Sequence, residues 1–316
     1  MRKHDVNLIG FILEMSGIKQ DAVEYETLVK IIESSKNYED ALENYKPFKS
    51  SLKKYKKFYE SQFFRLLKIY YDPYLKLRVQ SALENFEIPD IPGDLHVHTT
   101  WSDGINELEE MVEYAEDLGY EYIAITDHTL VGKGRVQMDE KKFLKQLAEI
   151  ERLQERHSIR ILKSAEVDVN EDGKLDYSKE ILELMDFVMV SIHFDFGYGP
   201  KKIVELFEVV SSNEIVDVIG HPLNKLGIEG FKEYGERIVD LVEKNGKVLE
   251  FNLFPDRIKE NDLLLNMIKD RDIMVAFSTD SHRKEHLEFM RFANFWLDEF
   301  DKERIFNFIL LKNKLS

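Results

Sequence analysis

The sequence predicts an α/β protein with a parallel sheet, preceded by an all-helical region, and three observations lead there. Beyond Gly93 short apolar runs alternate with amphipathic segments, whereas from about Val6 to Leu83 apolar residues recur at three- and four-residue spacing. Between the two rhythms lies Ile88-Pro-Asp-Ile-Pro-Gly93, whose composition is that of a linker. The chain is therefore divided into a helical region, residues 1–90, and an α/β region, residues 91–316.

In the first region Leu42, Tyr45, Phe48, Leu52, Tyr55 and Tyr59 follow the helical period. Lys46-Pro47 and Asp72-Pro73 should interrupt or start helices, because proline lacks the helical donor and restricts the residue before it. Four or five helices are expected. In the second region strands are expected at 93–98, 121–127, 159–168, 186–192, 215–221, 247–252 and 272–279. Helices fall near 105–118, 139–157, 178–184, 200–212, 231–245 and 258–270. The repeated β-α order favours a parallel sheet, which a barrel and an open doubly wound sheet both satisfy. The placement of polar residues helps to separate them, since barrel enzymes gather catalytic groups at the carboxyl ends of many strands around one mouth.

A chain of 316 residues with 43% hydrophobic and 33% charged residues is globular. No stretch approaches the ~20 apolar residues of a spanning helix, and the first residues hold too short an apolar run for a signal peptide, so a cytoplasmic location is the default expectation. With no cysteine, any metal must be held by His, Asp, Glu, carbonyl or water. The net charge of -16 is uneven, about +1 over residues 1–90 and -17 over the rest. So acidic an α/β region repels a polyanion over most of its surface, so nucleic acid would need a local basic patch or bound cations.

The histidines carry the chemistry. The first expected strand ends in His96-Val-His98, whose i, i+2 spacing sends both imidazoles to one face. Asp103 follows in Trp101-Ser-Asp-Gly104. The next strands run out at Asp127-His128, near Glu166, at His193 and at His221-Pro222, and the last at Asp280-Ser-His282. One histidine at a strand end is ordinarily a hydrogen-bonded structural residue. Six of the nine, with three carboxylates, would be poorly satisfied together without cations. His4, His157 and His286 lack this placement and are read as surface residues. Mixed His and carboxylate donors suit Zn, Mn or Fe rather than Ca or Mg, and nine are enough for two or three ions sharing a bridging carboxylate. Such clusters clamp phosphate oxygens and activate water for in-line attack on phosphorus, which makes phosphoester hydrolysis the favoured chemistry.

In order, the runs GDLHVHTTWSDG, AITDH, AEVDV, SIH, IGHP, LEFN and STDSH resemble the motifs of the polymerase and histidinol phosphatase (PHP) family over about residues 93–295. The PHP domain of bacterial and archaeal family X DNA polymerases is the branch most similar. The resemblance implies a distorted (β/α)7 barrel of TIM-like form with a trinuclear site and a metal-activated hydroxide. By it, His96, His98, Glu166 and Asp280 hold the first metal, and Asp103, His128 and His282 the second. Glu166 bridges to a third held by His193 and His221, and Glu166 and Asp280 are the protein groups nearest the chemistry. The resemblance places Asn252 and Arg257 near the substrate phosphate, where a capping or surface role is the competing reading; Lys133, Arg135 and Arg283, which closely follow ligand motifs, are further candidates against a solvated loop charge. Nothing resembles a polymerase palm, so a free-standing phosphoesterase with a helical appendage is expected.

Residues 46–78 carry ten Lys or Arg against two acids, interleaved with nine aromatics. They read either as a surface holding single-stranded nucleic acid by phosphate contacts and stacking, or as a bundle core with a solvated lysine face. Docking on the barrel or on a second subunit is a third reading. The expected activity is hydrolysis at a nucleotide or nucleic-acid end, 3'-5' exonuclease-like. The alternatives are a small-molecule phosphomonoesterase of the histidinol-phosphatase type and, from another class, a non-catalytic nucleic-acid-binding module.

Overall fold

The structure, a computed structural model, describes residues 3–52, 59–129, 138–193 and 199–314, apart from the side chains of residues 3, 4, 6 and 311–314. The chain divides into two compact units, Met1–Glu87 and Ile88–Ser316.

In the first unit the described residues form α1 (Lys3–Met15), α2 (Tyr25–Ser34), α3 (Tyr38–Tyr45), α4 (Lys49–Leu52), α5 (Glu60–Tyr71) and α6 (Pro73–Asn85). That is one more than the upper expectation, because the stripe from Leu42 to Leu52 is broken after Tyr45 and resumes as the single turn α4. The break at Lys46-Pro47 and the start at Pro73 fall where proline chemistry puts them. Asp72 caps α6 by accepting from the N–H groups of Tyr74 at 3.0 Å and Leu75 at 3.1 Å. Leu8, Ile12, Leu28, Ile32, Phe63, Leu66 and Val79 are buried together with the ring of Tyr45. Phe63 and Tyr45 are thus core aromatics, whereas Tyr74 is exposed.

The second unit runs β1 (Gly93–Asp94), α7 (Leu108–Asp117), β2 (Tyr122–Ile125), α8 (Glu140–Gln154), β3 (Arg160–Lys163), β4 (Glu166–Asp168), α9 (Lys179–Leu182), β5 (Met189–Ser191), α10 (Pro200–Ser212), β6 (Val218–Ile219), α11 (Gly227–Lys244), β7 (Val248–Asn252), α12 (Ile258–Ile268), β8 (Val275–Ser278) and α13 (Phe306–Lys314). All strand pairs are parallel, ordered β1-β2-β3 in one sheet and β4-β5-β6-β7-β8 in the other.

The strand expected at 159–168 is therefore two strands in two sheets. Side chains take over the ladder at the break: Ser164 Oγ donates to Phe187 O at 2.7 Å, and Asp186 Oδ2 accepts from Lys163 N–H. The strand expected at 93–98 is likewise short, because Asp94 and Thr126 side-chain oxygens accept the N–H groups of His96 and Val97. Backbone bonds cross both seams between the sheets. His98 N–H donates to Ser281 O at 2.7 Å on one side, and Glu166 N–H to Thr126 O at 3.0 Å on the other.

Leu95, Tyr122, Ala124, Leu162, Met189, Val218, Val248 and Ala276 form one buried cluster, joined by Leu310 of α13. Every strand except β3, whose ends are less covered, is buried on both faces, which explains the continuous apolar runs. The C-terminal segment, for which the sequence suggested no element, supplies a long 3-10 helix (Lys284–Phe295) and α13, whose Asn307 side chain bonds Gly93 O and both backbone groups of Phe277. No described helix is long and apolar enough to cross a membrane.

Candidate metal centre

Polar residues begin where the strands run out. His96 and His98 follow β1, His128 follows β2, Glu166 opens β4, His193 follows β5, His221 follows β6, and Asp280 and His282 follow β8. Two of these turns use left-handed backbone, φ 23° at His221 and φ 55° at Asp280, a conformation disfavoured by any Cβ. At Gly104 a Cβ would lie 2.6 Å from the His98 carbonyl carbon, so only glycine lets the Asp103 loop pack against the His96-Val97-His98 segment.

All nine predicted donors come together around Glu166. Its Oε1 lies 3.2 Å from His193 Nε2 and 2.7 Å from His221 Nε2. Its Oε2 lies 2.8 Å from His128 Nδ1, 3.4 Å from His96 Nε2 and 3.6 Å from His98 Nε2. Asp280 Oδ1 is 3.3 Å from His98 Nε2, and Asp103 Oδ1 is 3.3 Å from His282 Nε2 and 3.5 Å from His128 Nε2. Among the described residues, His98, Asp103, His128 and His282 offer ligand atoms within 4.8 Å of one another, as do His96, His98 and Asp280; His96, Glu166 and His221; and His128, Glu166 and His193.

The donor set fits cations. His96 Nε2, both ring nitrogens of His98, His128 Nδ1 and Glu166 Oε2 are buried and make no hydrogen bond, and each of the four nitrogens lies within 4.0 Å of a carboxylate oxygen. Orphaned polar atoms at this density are costly unless an ion joins them. The protonation pattern of the bare site is frustrated as well. Burial opposes charge on Glu166, but His128, His193 and His96 outweigh it and hold the carboxyl well below its usual range. Burial also opposes charge on His193, yet Glu166 and Asp168 push it up to about 10. His98, buried and crowded by His282 and His128, is pushed down to about 3.

Three carboxylates not singled out in the sequence hold this set in place. Glu250 Oε1 pairs with His96 Nδ1 at 2.7 Å, and Asp168 Oδ2 with His193 Nδ1 at 3.0 Å, so each ring turns its other nitrogen to Glu166. His282 Nδ1 is similarly held by Asp280 O at 2.9 Å. Asp127 accepts from Thr99 N–H and Oγ1, Ser102 N–H and Oγ, and Gln146 Nε2, stapling the Asp103 loop to the end of β2. The available signal was an acid two residues along a strand from another polar end residue, as in Glu166-Val-Asp168 and Glu250-Phe-Asn252. Asp127→Asn should lower stability by about 2 kcal/mol in urea unfolding, because the amide turns a donor toward donors. A change below about 0.5 kcal/mol would show that the staple is unimportant.

The phosphate-binding candidates are less exposed than their sequence role suggested. Asn252 is buried and caps the turn after β7, accepting from Phe254 N–H at 3.1 Å. Arg257 Nη1 donates to both oxygens of Glu260, at 2.8 and 3.0 Å, and Nη2 donates to Asn224 Oδ1 at 3.1 Å. Arg283 is buried beside His282, 3.1 Å from Glu285. Lys133 and Arg135 lie outside the described residues. The surface reading of His286 is corrected: it is fully buried, stacked on Phe289 and set edge-on to Phe254, because the 3-10 helix folds it inward behind His282. His157 is half-buried and bonded to Glu116 at 2.8 Å, and the His4 side chain is outside the described residues.

This fold and donor set are those of an α/β domain that holds divalent metal ions. The chain belongs to the PHP domain family, whose model matches residues 94–253. It is 34% identical over 213 residues to the DNA polymerase/3'-5' exonuclease PolX of Bacillus subtilis, covering 66% of this chain but only 37% of that protein. It is 28% identical over 201 residues to a probable phosphatase of Thermoanaerobacter sp. (strain X514), covering 60% of this chain and 78% of that one. Among solved structures, histidinol phosphate phosphatase from Lactococcus lactis, complexed with zinc, L-histidinol and phosphate, aligns with a TM-score of 0.49 at 18% identity, covering 64% of this chain and 91% of that one.

Proposed function

We propose that this chain hydrolyses phosphate esters of a nucleotide or a nucleic-acid end, using three divalent cations assembled on Glu166 within a distorted parallel barrel. The observation that carries the reading is the division of labour on one carboxylate. Oε1 of Glu166 faces His193 and His221 while Oε2 faces His96, His98 and His128. His96, His98 and Asp280 with Glu166 would hold one ion; Asp103, His128 and His282 a second; and Glu166 a third with His193 and His221, whose Nε2 atoms lie 3.2 and 2.7 Å from its Oε1. When bound, such ions polarise phosphate oxygens and make water nucleophilic at neutral pH. The chain's own contribution is to fix the donors before substrate arrives. Asp168, Glu250 and the Asp280 carbonyl set the imidazole orientations, and the left-handed turns at His221 and Asp280 aim two ligands inward.

The identity to PolX, named a 3'-5' exonuclease, supports a nucleic-acid end as substrate. The greater share of the phosphatase relative's length, 78% against 37%, supports the second reading, a small phosphomonoester. In residues 46–78, Lys49 pairs with Glu60 at 2.9 Å and Lys76 with Asp5 at 2.7 Å, and Lys46 pairs with Glu43. Lys68 is exposed, and Lys53, Lys54, Lys56 and Lys57, the densest basic run of the segment, lie outside the described residues. Replacing these four by Glu should slow digestion of a labelled single strand at least about tenfold at physiological salt and spare p-nitrophenyl phosphate. Equal rates on both substrates would remove the segment from the reaction, and a chain active only on monoesters would establish the second reading.

A further inference from the structure

The centre of β7 contributes no metal ligand, yet it carries a fully buried acid, Glu250. Four hydrogen-bonding groups converge on its two oxygens. Oε1 meets His96 Nδ1 at 2.7 Å and Ser278 Oγ at 2.5 Å. Oε2 meets the backbone N–H of His221 and, at 3.5 Å, Asn252 Nδ2. The Asn252 amide is oriented independently, because its Oδ1 already accepts from Phe254 N–H. Gly220 makes the approach possible: a Cβ there would collide with Ser191 Oγ and lie 3.6 Å from Glu250 Oε2.

From this arrangement we infer that Glu250 is a positioning residue acting on two metal positions at once, setting the His96 tautomer through one oxygen and the His221 turn through the other. The inference rests on the metal reading above. A carboxylate has about four lone-pair sites, and four partners occupy them here. Facing an acceptor on this side, His96 keeps a proton on Nδ1, which leaves Nε2 as the nitrogen for an ion, aimed at Glu166 and Asp280, 3.4 and 3.8 Å away. The other oxygen anchors His221 where its backbone is left-handed, φ 23°. A glutamine fills the same volume, but its NH2 must face two of the four partners. If it faces His96, the imidazole becomes the acceptor at Nδ1 and its proton moves to Nε2, the atom that would bind the ion. If it faces His221, the strained turn loses its anchor.

The test uses the full chain labelled with 15N-histidine and stripped of metal, with His96 ring signals identified by comparison with His96→Gln. Native protein should show His96 protonated on Nδ1. Glu250→Gln should move that proton to Nε2 or release the His221 N–H, seen as faster hydrogen exchange, and should weaken zinc binding about 10–100-fold in chelator competition. Glu250→Asp, still acceptor-only, should keep the native tautomer. A native His96 with its proton on Nε2 overturns the inference, with no variant needed should Glu250→Gln not fold. So does a folded Glu250→Gln chain with native zinc affinity. If the native chain binds no zinc, the metal reading itself fails, a result separate from either of these.

Discussion

Glu166→Gln should reduce phosphoester hydrolysis by about 10³-fold or more, roughly 4 kcal/mol of barrier, while the far-ultraviolet spectrum stays native. The substitution keeps shape and burial, so the expected loss is electronic. Among the described residues Glu166 is the one group whose two oxygens face separate sets of imidazoles, and an amide can present only one acceptor. The other half of the substituted amide would aim N–H groups at bare ring nitrogens or at cations. Both kinetic and metal-content readouts follow: turnover on p-nitrophenyl phosphate and zinc or manganese bound per chain should fall together. Turnover within about threefold of native would remove Glu166 from the centre of the chemistry.

Chelation should have the second largest effect, and on stability as well as on activity. Three carboxylates and six imidazoles crowd one rim, with ring centroids as close as 4.3 Å between His98 and His282 and 4.4 Å between His98 and His128. Without cations the buried atoms of this set forgo their interactions, and positive charge is favoured at His193 beside Glu166 and Asp168 but opposed at His98 by burial and its neighbouring imidazoles. Ions that bind only the folded state stabilise it by about 4 kcal/mol at a thousand times their dissociation constant. For a unit of this size that is roughly a 10 °C rise in melting temperature. Treatment with a strong chelator should lower the melting temperature by about that much, and added zinc or manganese should restore it. An unchanged melting curve across the cycle would mean that the rim needs no ion.

Much of the arrangement was legible because parallel strands buried on both faces read as apolar runs, so the short polar stretch that follows each run marks a strand end. His96, His128, His193, His221 and Asp280 were visible in this way, and the fold brings them to one rim. The break at Ser164 was not legible, since nothing in Arg160–Lys163 and Glu166–Asp168 announces that side chains will replace the ladder between them. Glu250 and Asp168 were hidden for a related reason. Each sits within a strand, where an acid reads as an outward-facing residue, and only the convergence of strands distant in sequence supplies its histidine partner. His286 was misread because it lies in a 3-10 helix whose buried residues repeat every three positions, 286, 289, 292 and 287, 290, 293, a period that a search for helical 3.6 or strand 2 spacing does not single out. The left-handed turns at His221 and Asp280 are likewise tertiary: His and Asp enter that conformation more readily than most residues, but it is the surrounding bonds that select it at these two positions.

Anomalous diffraction from crystals grown with zinc would test the central claim most directly. Scattering peaks are expected about 2.0–2.2 Å from both oxygens of Glu166, with His193 and His221 completing one position and His96, His98 and Asp280 another. Crystals with zinc in the mother liquor but no anomalous peak among these side chains would contradict it.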